Sequence, residues 1–522
     1  MRAGAPGHAR GGGSGGAARN APAAIAATAL LATAAGAWPY TVDDAFIVGR
    51  YAWRWARGLG WTFRDGPATD GVTGPLWVLP GALAELLGVD PVLAQKGLGA
   101  LATALAAVLV VRDLRRGQGG ARSGWLAAGL LSGQATLGIW GIGGLETGLA
   151  TLLLTWAALT RRALALGLAA ALLAATRPET APAVMVLLLW RRSATAWALA
   201  LAGALGVLAW RGWMFGHLMP LSFWAKGGSP AQGAAYAASG VLVCTGLGGL
   251  PLAAIGAGTT RRLRPLGVAA LAQLLTVAAL GGDWMPGYRL LAPTLPLYAA
   301  LAARGGWRLS LRRPRWAAAA ALVALLMPAL DLAAQLGPVR EAGAARRAAA
   351  PLARRLAGVE SVALVDVGYL VYRADADVFD LGGLTDPVVA HAPGGHLSKE
   401  VPIAYLAARD PAVLLLHAAA PPEVDEEGRL GRLAGYPVER YVAGSAWSRA
   451  RFRVREVVPY APGYWYVWLE RPGSGGHRGA HRRGGQPVDG FPGARAVHEG
   501  ARRRGRAGWG DLAEDLGSQM RR

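Results

Sequence analysis

The chain has 522 residues, of which 53% are hydrophobic and only 16% are charged. Soluble domains carry about a quarter of charged residues, so this composition excludes an ordinary soluble protein and indicates a polytopic membrane protein. The net charge of +22 does not indicate nucleic-acid binding, because the arginines cluster between apolar runs or in the tail and no known nucleic-acid module is present. The single cysteine, Cys244, excludes a disulfide framework.

The N-terminal part combines a polar leader with a first apolar run. Residues 1–20 are rich in Gly, Ala and Arg and show no packing pattern, which predicts a disordered cytoplasmic leader. Residues 21–37 form an apolar run at the lower end of the length that spans a bilayer. Because Ala35-Gly36-Ala37 also fits a signal-peptidase site, cleavage of this run is an alternative to its retention as a span.

Apolar runs continue to residue 336 and predict a membrane domain over residues 21–336. A break at Arg177-Pro178-Glu179 divides one long run into two short helices, because proline interrupts a helix. With that pair and the first run, the pattern predicts about eleven membrane helices. The other runs are at about residues 92–111, 124–142, 145–160, 194–210, 236–256, 265–281, 290–303 and 316–336.

Charge sets the predicted orientation of these helices. If the apolar stretch 74–88 lies along the outer surface rather than spanning, all the basic loops up to Arg304–Arg315 fall on the cytoplasmic side. The N-terminus is then inside, and the first outer loop covers residues 38–91. Of the eleven acidic residues before residue 337, only Asp113 falls clearly inside. The carboxylates therefore gather at the outer face.

The first outer loop contains the adjacent carboxylates Asp43 and Asp44, directly after the first apolar run. Ionised groups are costly at membrane depth, so the pair either stays in water or serves chemistry. A structural alternative is that one aspartate caps the helix that begins near Ala45.

Several motifs carry a family resemblance over about residues 38–390. They resemble GT-C glycosyltransferases that use polyprenyl-phosphate sugars, in particular the actinobacterial terminal arabinofuranosyltransferases of the cell wall and their uncharacterised relatives. The motifs are Asp43-Asp44-Ala45-Phe46-Ile47, Arg50-Tyr51-Ala52, Gly71-Val72-Thr73-Gly74-Pro75-Leu76-Trp77, Gly144-Leu145-Glu146-Thr147, Thr176-Arg177-Pro178-Glu179, Ala225-Lys226-Gly227, Gly282-Asp283-Trp284-Met285-Pro286-Gly287-Tyr288-Arg289 and Leu384-Thr385-Asp386-Pro387.

The resemblance implies a GT-C fold in the bacterial cytoplasmic membrane, with its active site on the outer face. It also implies an inverting transfer of a pentose or hexose from a polyprenyl-phosphate donor to a cell-envelope glycan or lipid. A catalytic aspartate in the first outer loop is typical of the family, and Asp44 is the first choice for this general base, with Asp43 the alternative. The two carboxylates are also candidates to hold a divalent cation such as Mg, Mn or Ca with the lipid phosphate.

Candidate groups for the rest of the site follow from their charge and shape. The donor phosphate needs cations, and the candidates are Lys226, Arg289, Arg50 and Arg177. Lys226 stands out because only three of the 54 basic residues are lysines, although an interfacial lysine is the structural alternative. Structural pairing is likewise the alternative for the acids Asp283 and Glu146. The substrate-binding candidates are Asp283, Glu146, Tyr288 and Trp77.

Beyond residue 336 the composition becomes that of a soluble domain. Residues 337–471 predict an extracytoplasmic α/β domain, with buried strands at 361–367 and 413–417. Its loop 381–387 either reaches the membrane domain or is a structural turn. Residues 472–522 are Gly- and Arg-rich and predict a disordered tail. A lipid or glycan transporter, a surface-glycan ligase or polymerase, and a protein O-mannosyltransferase-like enzyme are the alternative functions.

Overall fold

The computed structural model describes residues 14–117 and 119–472, with the side chains described from residue 20. The predicted tail, apart from residue 472, and residues 1–13 of the predicted leader lie outside the described residues. Residues 14–20 are helical, so the first helix begins upstream of the apolar run that predicted it. The helices, in chain order, are α1 (Ser14–Gly36), α2 (Asp43–Ala56), α3 (Val78–Leu86), α4 (Pro91–Arg115), α5 (Gly120–Ser132), α6 (Ala135–Gly141), α7 (Thr147–Leu159), α8 (Ala163–Ala174), α9 (Ala181–Arg191), α10 (Ala194–Phe215), α11 (Leu221–Ala225), α12 (Pro230–Thr259), α13 (Arg264–Ala279), α14 (Leu295–Ser310), α15 (Pro314–Ala348), α16 (Ala350–Leu356), α17 (Pro387–Ala390), α18 (Ile403–Arg409), α19 (Pro437–Gly444) and α20 (Ala446–Arg451).

The described chain divides into two compact units whose boundaries differ from the predicted domains. We call the first the helical unit; it takes its described residues from Met1–Trp38, Leu93–Val207 and Gly228–Gln335. We call the second the mixed unit, and it takes them from Pro39–Val92, Leu208–Gly227 and Leu336–Arg522. The first outer loop, the end of α10 and the segment after it therefore group with the C-terminal part of the chain rather than with the other apolar helices.

Apolar side chains form the core of the helical unit. Alanines and leucines of α1, α4, α5, α7 and α14 are buried against one another. The break at Arg177 is present, because a 3₁₀ turn at Pro178–Thr180 separates α8 from α9. Helix α12 also breaks at Gly246, where φ is 62°. A side chain there would also collide with the carbonyl of Val323. Both the positive φ and the lack of space therefore favour glycine.

Length and composition identify the helices that can cross a membrane. Among the described residues, four helices satisfy both criteria: Pro91–Arg115, Ala194–Phe215, Pro230–Thr259 and Pro314–Leu356. They support the prediction of a membrane protein. Further apolar helices are shorter, among them Asn20–Gly36 and the Pro75–Leu86 stretch that was predicted not to span. The total of about eleven spans and their orientation stay predictions.

The C-terminal part of the mixed unit contains a five-stranded sheet. Its strands are β1 (Ser361–Leu364), β2 (Asp377–Asp380), β3 (Val413–Ala418), β4 (Arg453–Ala461) and β5 (Tyr464–Glu470). They lie in the order β2-β1-β3-β5-β4. Strand β1 is parallel to β2 and β3, whereas β5 is antiparallel to β3 and β4. The two strands predicted from apolar runs correspond to β1 and β3, and every residue of β3 is buried.

Candidate functional site

The Asp43-Asp44 pair begins helix α2 in the mixed unit. Val42 is the N-cap residue and makes no side-chain cap, so neither aspartate has the capping role that the sequence left open. Both carboxylates instead lie in the first turn, where the unpaired backbone N–H groups favour negative charge. Helix geometry explains why two adjacent carboxylates are tolerated, and the two carboxylates have different partners.

Asp44 is paired with Lys226. The Lys226 ammonium lies 3.3 Å from Oδ2 of Asp44, and both side chains are partly exposed, at 33% and 23%. An ion pair that keeps this much exposure is accessible to an incoming anion. The structure therefore brings together the first-choice base and the first-choice phosphate ligand, which were proposed separately from the sequence.

Asp43 is held by the C-terminal part of the same unit. Its Oδ2 accepts the backbone N–H of Gly368 at 3.1 Å, and its Oδ1 accepts that of Tyr369 at 3.0 Å. Burial and the nearby charge of Asp366 raise the pKa of Asp43 to about 6, against the opposing effect of Arg346 and the Tyr369 N–H. Asp43 is thus a poorly solvated carboxylate whose charge is stabilised mainly by two amides and one arginine.

Lys226 lies in a segment that we call the lysine loop, residues 216–227, which includes α11. This loop is attached to the first outer loop: the Leu221 N–H donates to the Asp70 carbonyl at 3.0 Å, and the Thr73 and Ser222 hydroxyls lie 3.0 Å apart. Arg211 at the end of α10 pairs with Asp70 at 2.9 Å, and both side chains are buried. Asp70 and Thr73 lie in the segment that follows α2. These contacts therefore hold the lysine loop against that segment.

Arg50 occupies a different environment from the one predicted for a phosphate ligand. Its side chain is fully buried, and its guanidinium donates to the carbonyls of Phe63 at 2.6 Å, Ala374 at 2.8 Å and Val371. Burial lowers the pKa of Arg50 to about 9. These contacts give Arg50 a structural role between α2 and the C-terminal domain, and it has no part in the function proposed below.

Trp77, a substrate candidate, is buried in the same unit, at 2% exposure. The remaining candidates lie in the helical unit, where they form charged groups. Arg177 lies 2.8 Å from carboxylate oxygens of both Glu146 and Glu179.

Arg289 pairs with Asp283 in that unit, and Asp283 also acts electrostatically on Arg177. The guanidinium of Arg289 lies 5.4 Å from the Trp140 ring. Tyr288 has a left-handed backbone, with φ at 54°. Asp283 and Glu146 are thus both in ion pairs, which was the structural alternative for them. The phosphate-binding roles of the arginines and the substrate-binding roles of the other candidates stay predictions.

Four interacting residues were not identified as a group from the sequence. His417 on β3 is buried between Asp366 at 2.9 Å and Glu439 at 2.8 Å, and Tyr466 donates to Asp366 at 2.6 Å. The pKa of His417 is raised well above its ordinary value by the two carboxylates, against the opposing effect of burial. The sequence feature that could have identified this group is a histidine at the end of an otherwise apolar predicted strand.

The divalent cation predicted from the sequence would be held by Asp43 and Asp44 together with the lipid phosphate. No group of three or more His, Cys, Asp or Glu side chains among the described residues is arranged to hold a metal ion. Both oxygens of Asp43 accept backbone N–H groups, and Asp44 faces an ammonium group. The divalent cation therefore stays a prediction from the sequence, and no step below uses one.

The loop 381–387 is a structural turn in the mixed unit. Asp380 accepts the backbone N–H groups of Gly382, Gly383 and Thr385, and Asp386 accepts those of Val388 and Val389 at the start of α17. Of the two alternatives for this motif, these hydrogen bonds support the turn.

Apolar helices long enough to cross a membrane, together with a partly exposed ion pair in the mixed unit, indicate a membrane protein with a charged candidate site. Residues 336–468 match the family model "Domain of unknown function (DUF8728)", and no curated protein matches the chain. Among solved structures, the chain is similar to ArnT from Cupriavidus metallidurans. For its apo state the identity is 14% and the TM-score 0.49, over 69% of this chain and 86% of that one. For its complex with undecaprenyl phosphate the identity is 14% and the TM-score 0.46, over 68% and 85%. Neither likeness identifies the reaction of this chain.

Proposed function

We propose that this chain is a membrane glycosyltransferase that moves a sugar from a polyprenyl-phosphate donor to a glycan or lipid of the cell envelope. The observation that carries the proposal is the Asp44–Lys226 pair, in which a carboxylate and an ammonium group converge at 3.3 Å from distant parts of the sequence. Sugar transfer from a lipid phosphate needs these two kinds of group: a base for the acceptor hydroxyl and a cation for the departing phosphate. The apolar helices suit a protein whose donor is anchored in the bilayer.

Donor binding and base activation are coupled in this arrangement. The donor phosphate competes with Asp44 for the Lys226 ammonium, a compact cation that binds phosphate well. The Asp44 carboxylate then accepts the proton of the acceptor hydroxyl. The acceptor oxygen forms its bond to the anomeric carbon as the bond from that carbon to the phosphate oxygen breaks, and the lipid phosphate leaves with the electron pair. A single displacement of this kind inverts the anomeric configuration.

Asp44 rather than Asp43 is the proposed base because of the partners of each carboxylate. Asp43 uses both oxygens to accept backbone N–H groups, whereas Asp44 faces the cation that would hold the leaving group. Asp43 then keeps the start of α2 in place and adds negative charge beside the base. The sugar, a pentose or hexose, the glycan or lipid acceptor and the likeness to arabinofuranosyltransferases are part of the proposal.

Transfer from radiolabelled polyprenyl-phosphate sugars tests the proposal in membranes that contain the full chain. We expect Asp44→Asn to lower transfer by about 10²- to 10⁴-fold, the usual contribution of a general base. We expect Lys226→Met to raise the donor KM. Asp65→Asn is the matched control for a carboxylate in the same loop, because the Asp65 side chain is 87% exposed. Full transfer by both Asp43→Asn and Asp44→Asn would overturn the mechanism.

Membrane orientation has a separate test. The site is proposed to face the outer side of the bacterial cytoplasmic membrane, so a reporter fused after Leu336 is expected to be active outside the cytoplasm. A cytoplasmic reporter would contradict the orientation. If labelled lipid crossed the membrane without transfer of its sugar, the activity would be that of a transporter instead.

A further inference from the structure

The C-terminal domain contacts both sides of the Asp44–Lys226 pair within the mixed unit. One contact is between its residues 368–369 and the start of α2, and the other is between its residues 390–399 and the lysine loop. These contacts join segments that are far apart in the sequence. They give this domain, whose family model describes no function, a specific relation to the candidate site.

Lys399 makes the contact with the lysine loop. Its side chain is 2% exposed, and its ammonium donates to the carbonyls of Ala390 at 2.8 Å, Ala392 at 2.9 Å and Trp224 at 3.2 Å. Trp224 lies two positions before Lys226, so this bond fixes the backbone next to the phosphate ligand. A buried ammonium is costly unless its protons are bonded, and three carbonyls satisfy all three of them.

Stacking supports the same contact. The rings of Trp224 and His391 lie 5.2 Å apart at an interplanar angle of 33°. His391 is the C-cap residue of α17. The last residue of that helix, Ala390, supplies one of the three carbonyls that Lys399 binds. The lysine loop is therefore held at Trp224 by both its carbonyl and its ring.

Gly368 makes the contact with the acidic pair. A Cβ atom at this position would collide with the Asp43 carboxylate, so the close approach of the backbone N–H to Asp43 depends on glycine. The next residue, Tyr369, donates its own N–H to Asp43 and packs its ring edge-on against Phe46 of α2, at 5.1 Å between centroids. The beginning of α2 is thus held by two amides and one aromatic contact.

We propose that the C-terminal domain is the positioning module of the transfer site, and that Lys399 is its positioning residue for Lys226. The domain contributes no reacting group in this scheme. It sets the separation between the base and the phosphate ligand by holding Asp43, the neighbour of the base, through Gly368 and Tyr369 and the lysine loop through Lys399. The expected effect on sugar transfer rests on the proposed function. The expected effect on the position of the lysine loop rests only on the contacts described above.

A double-mutant cycle of Lys399→Met and Lys226→Met tests whether Lys399 acts through Lys226. Misplacement of a binding group by about 1 Å costs about 10²-fold, so we expect Lys399→Met to lower kcat/KM for the donor by about 10- to 100-fold. The double variant should lose no more than Lys226→Met alone. Additive losses, or full transfer by Lys399→Met, would overturn the proposal.

Lys96→Met is the matched control, because Lys96 is also buried and also donates to a backbone carbonyl, that of Trp38 at 2.6 Å. It belongs to the helical unit and its carbonyl partner lies outside the lysine loop, so Lys96→Met is expected to leave transfer close to that of the wild type. A loss equal to that of Lys399→Met would show that any buried lysine has this effect.

Hydrogen exchange in detergent supplies a readout that does not need activity. Lys399→Met should speed exchange in residues 221–226 and leave β3 as protected as in the wild type. Faster exchange in β3 as well would make Lys399 a residue of domain folding and would contradict its positioning role. Gly368→Ala then tests the other contact, with faster exchange expected at the start of α2.

The two proposals fail in different ways. If the wild type transfers no sugar but Lys399→Met still loosens the lysine loop, the proposed function is wrong and the positioning contact stands. If Lys226→Met abolishes transfer while Lys399→Met neither loosens the loop nor lowers transfer, the function stands and the positioning role is wrong.

Discussion

The ammonium group of Lys226 lies 3.3 Å from a carboxylate oxygen of Asp44, although the two residues are 182 positions apart in the chain. Exposed ion pairs add about 0–1 kcal/mol to stability, so this pair is a weak stabiliser. The bond between them is therefore easily exchanged for a bond to substrate.

A charge swap separates pairing from chemistry. In Asp44→Lys with Lys226→Asp the pair can still form, so we expect thermal unfolding in detergent close to that of the wild type. Transfer should stay as low as in Asp44→Asn, because the base and the phosphate ligand have changed places. Recovery of transfer by the swap would show that the ion pair itself, rather than the role of each group, is what the site requires.

The pH dependence of transfer should follow Asp43. Its pKa is raised to about 6, so Asp43 takes up a proton and weakens as an acceptor for the Gly368 and Tyr369 N–H groups when the pH falls through about 6. We expect transfer to fall in the same range, and Asp43→Asn to remove this acidic limb. Asp366→Asn removes a neighbouring negative charge and should move the limb to lower pH.

The same shift has a consequence for stability. The folded-state pKa lies above the ordinary value of 3.8, so the folded chain binds this proton more tightly than the unfolded chain. The contribution of Asp43 to the free energy of unfolding must therefore decrease as the pH rises from about 4 to about 6. An increase over that range that disappears in Asp43→Asn would contradict the assignment.

His417 should stabilise the C-terminal domain through its charge. Its replacement in His417→Leu leaves Glu439 buried without its cationic partner, and loss of one partner of a buried pair costs about 3–5 kcal/mol. Because the pKa is raised, the stabilisation is complete below about 6.5 and is lost only as the pH rises through the folded-state value. Thermal unfolding across pH measures both effects.

The control for His417 is Glu427→Gln, which breaks an ion pair whose side chains are about half exposed. We expect a change of at most about 1 kcal/mol, as for other surface pairs. If the two substitutions lowered the free energy of unfolding equally, the buried pair of His417 would stabilise the protein no more than a surface pair does.

Arg50→Met distinguishes a structural arginine from a phosphate ligand. Three backbone carbonyls lose the guanidinium as a donor, although that of Val371 keeps the Ala374 N–H. A buried carbonyl left unsatisfied costs about 1–3 kcal/mol, so unfolding should occur at a markedly lower temperature. The donor KM of the protein that remains folded should be unchanged. Arg50→Lys should not restore stability, because one ammonium cannot reproduce the guanidinium fork. A raised donor KM without loss of stability would favour the phosphate role.

Much of the architecture is readable from local patterns. Apolar runs predict the helices because burial in lipid or core requires apolar side chains over a fixed length, and the break at Arg177-Pro178-Glu179 follows from proline chemistry. Strands β1 and β3 follow in the same way from short apolar runs. The Asp43-Asp44 pair and the rare Lys226 are visible as exceptions to the composition around them.

By itself, the sequence determined the apolar helices, two strands of the sheet after residue 336, and a short set of charged candidates. Only the tertiary structure decided which charges meet. Lys226 faces Asp44, whereas Arg50 is enclosed by carbonyls of which two are 321 and 324 positions away, and Lys399 holds the lysine loop 175 positions before it. Helix and strand periodicity records which side of an element is buried, but it carries no information on which distant backbone or side chain covers that side. The partners of Asp44, Arg50 and Lys399 could therefore be found only once the chain was folded.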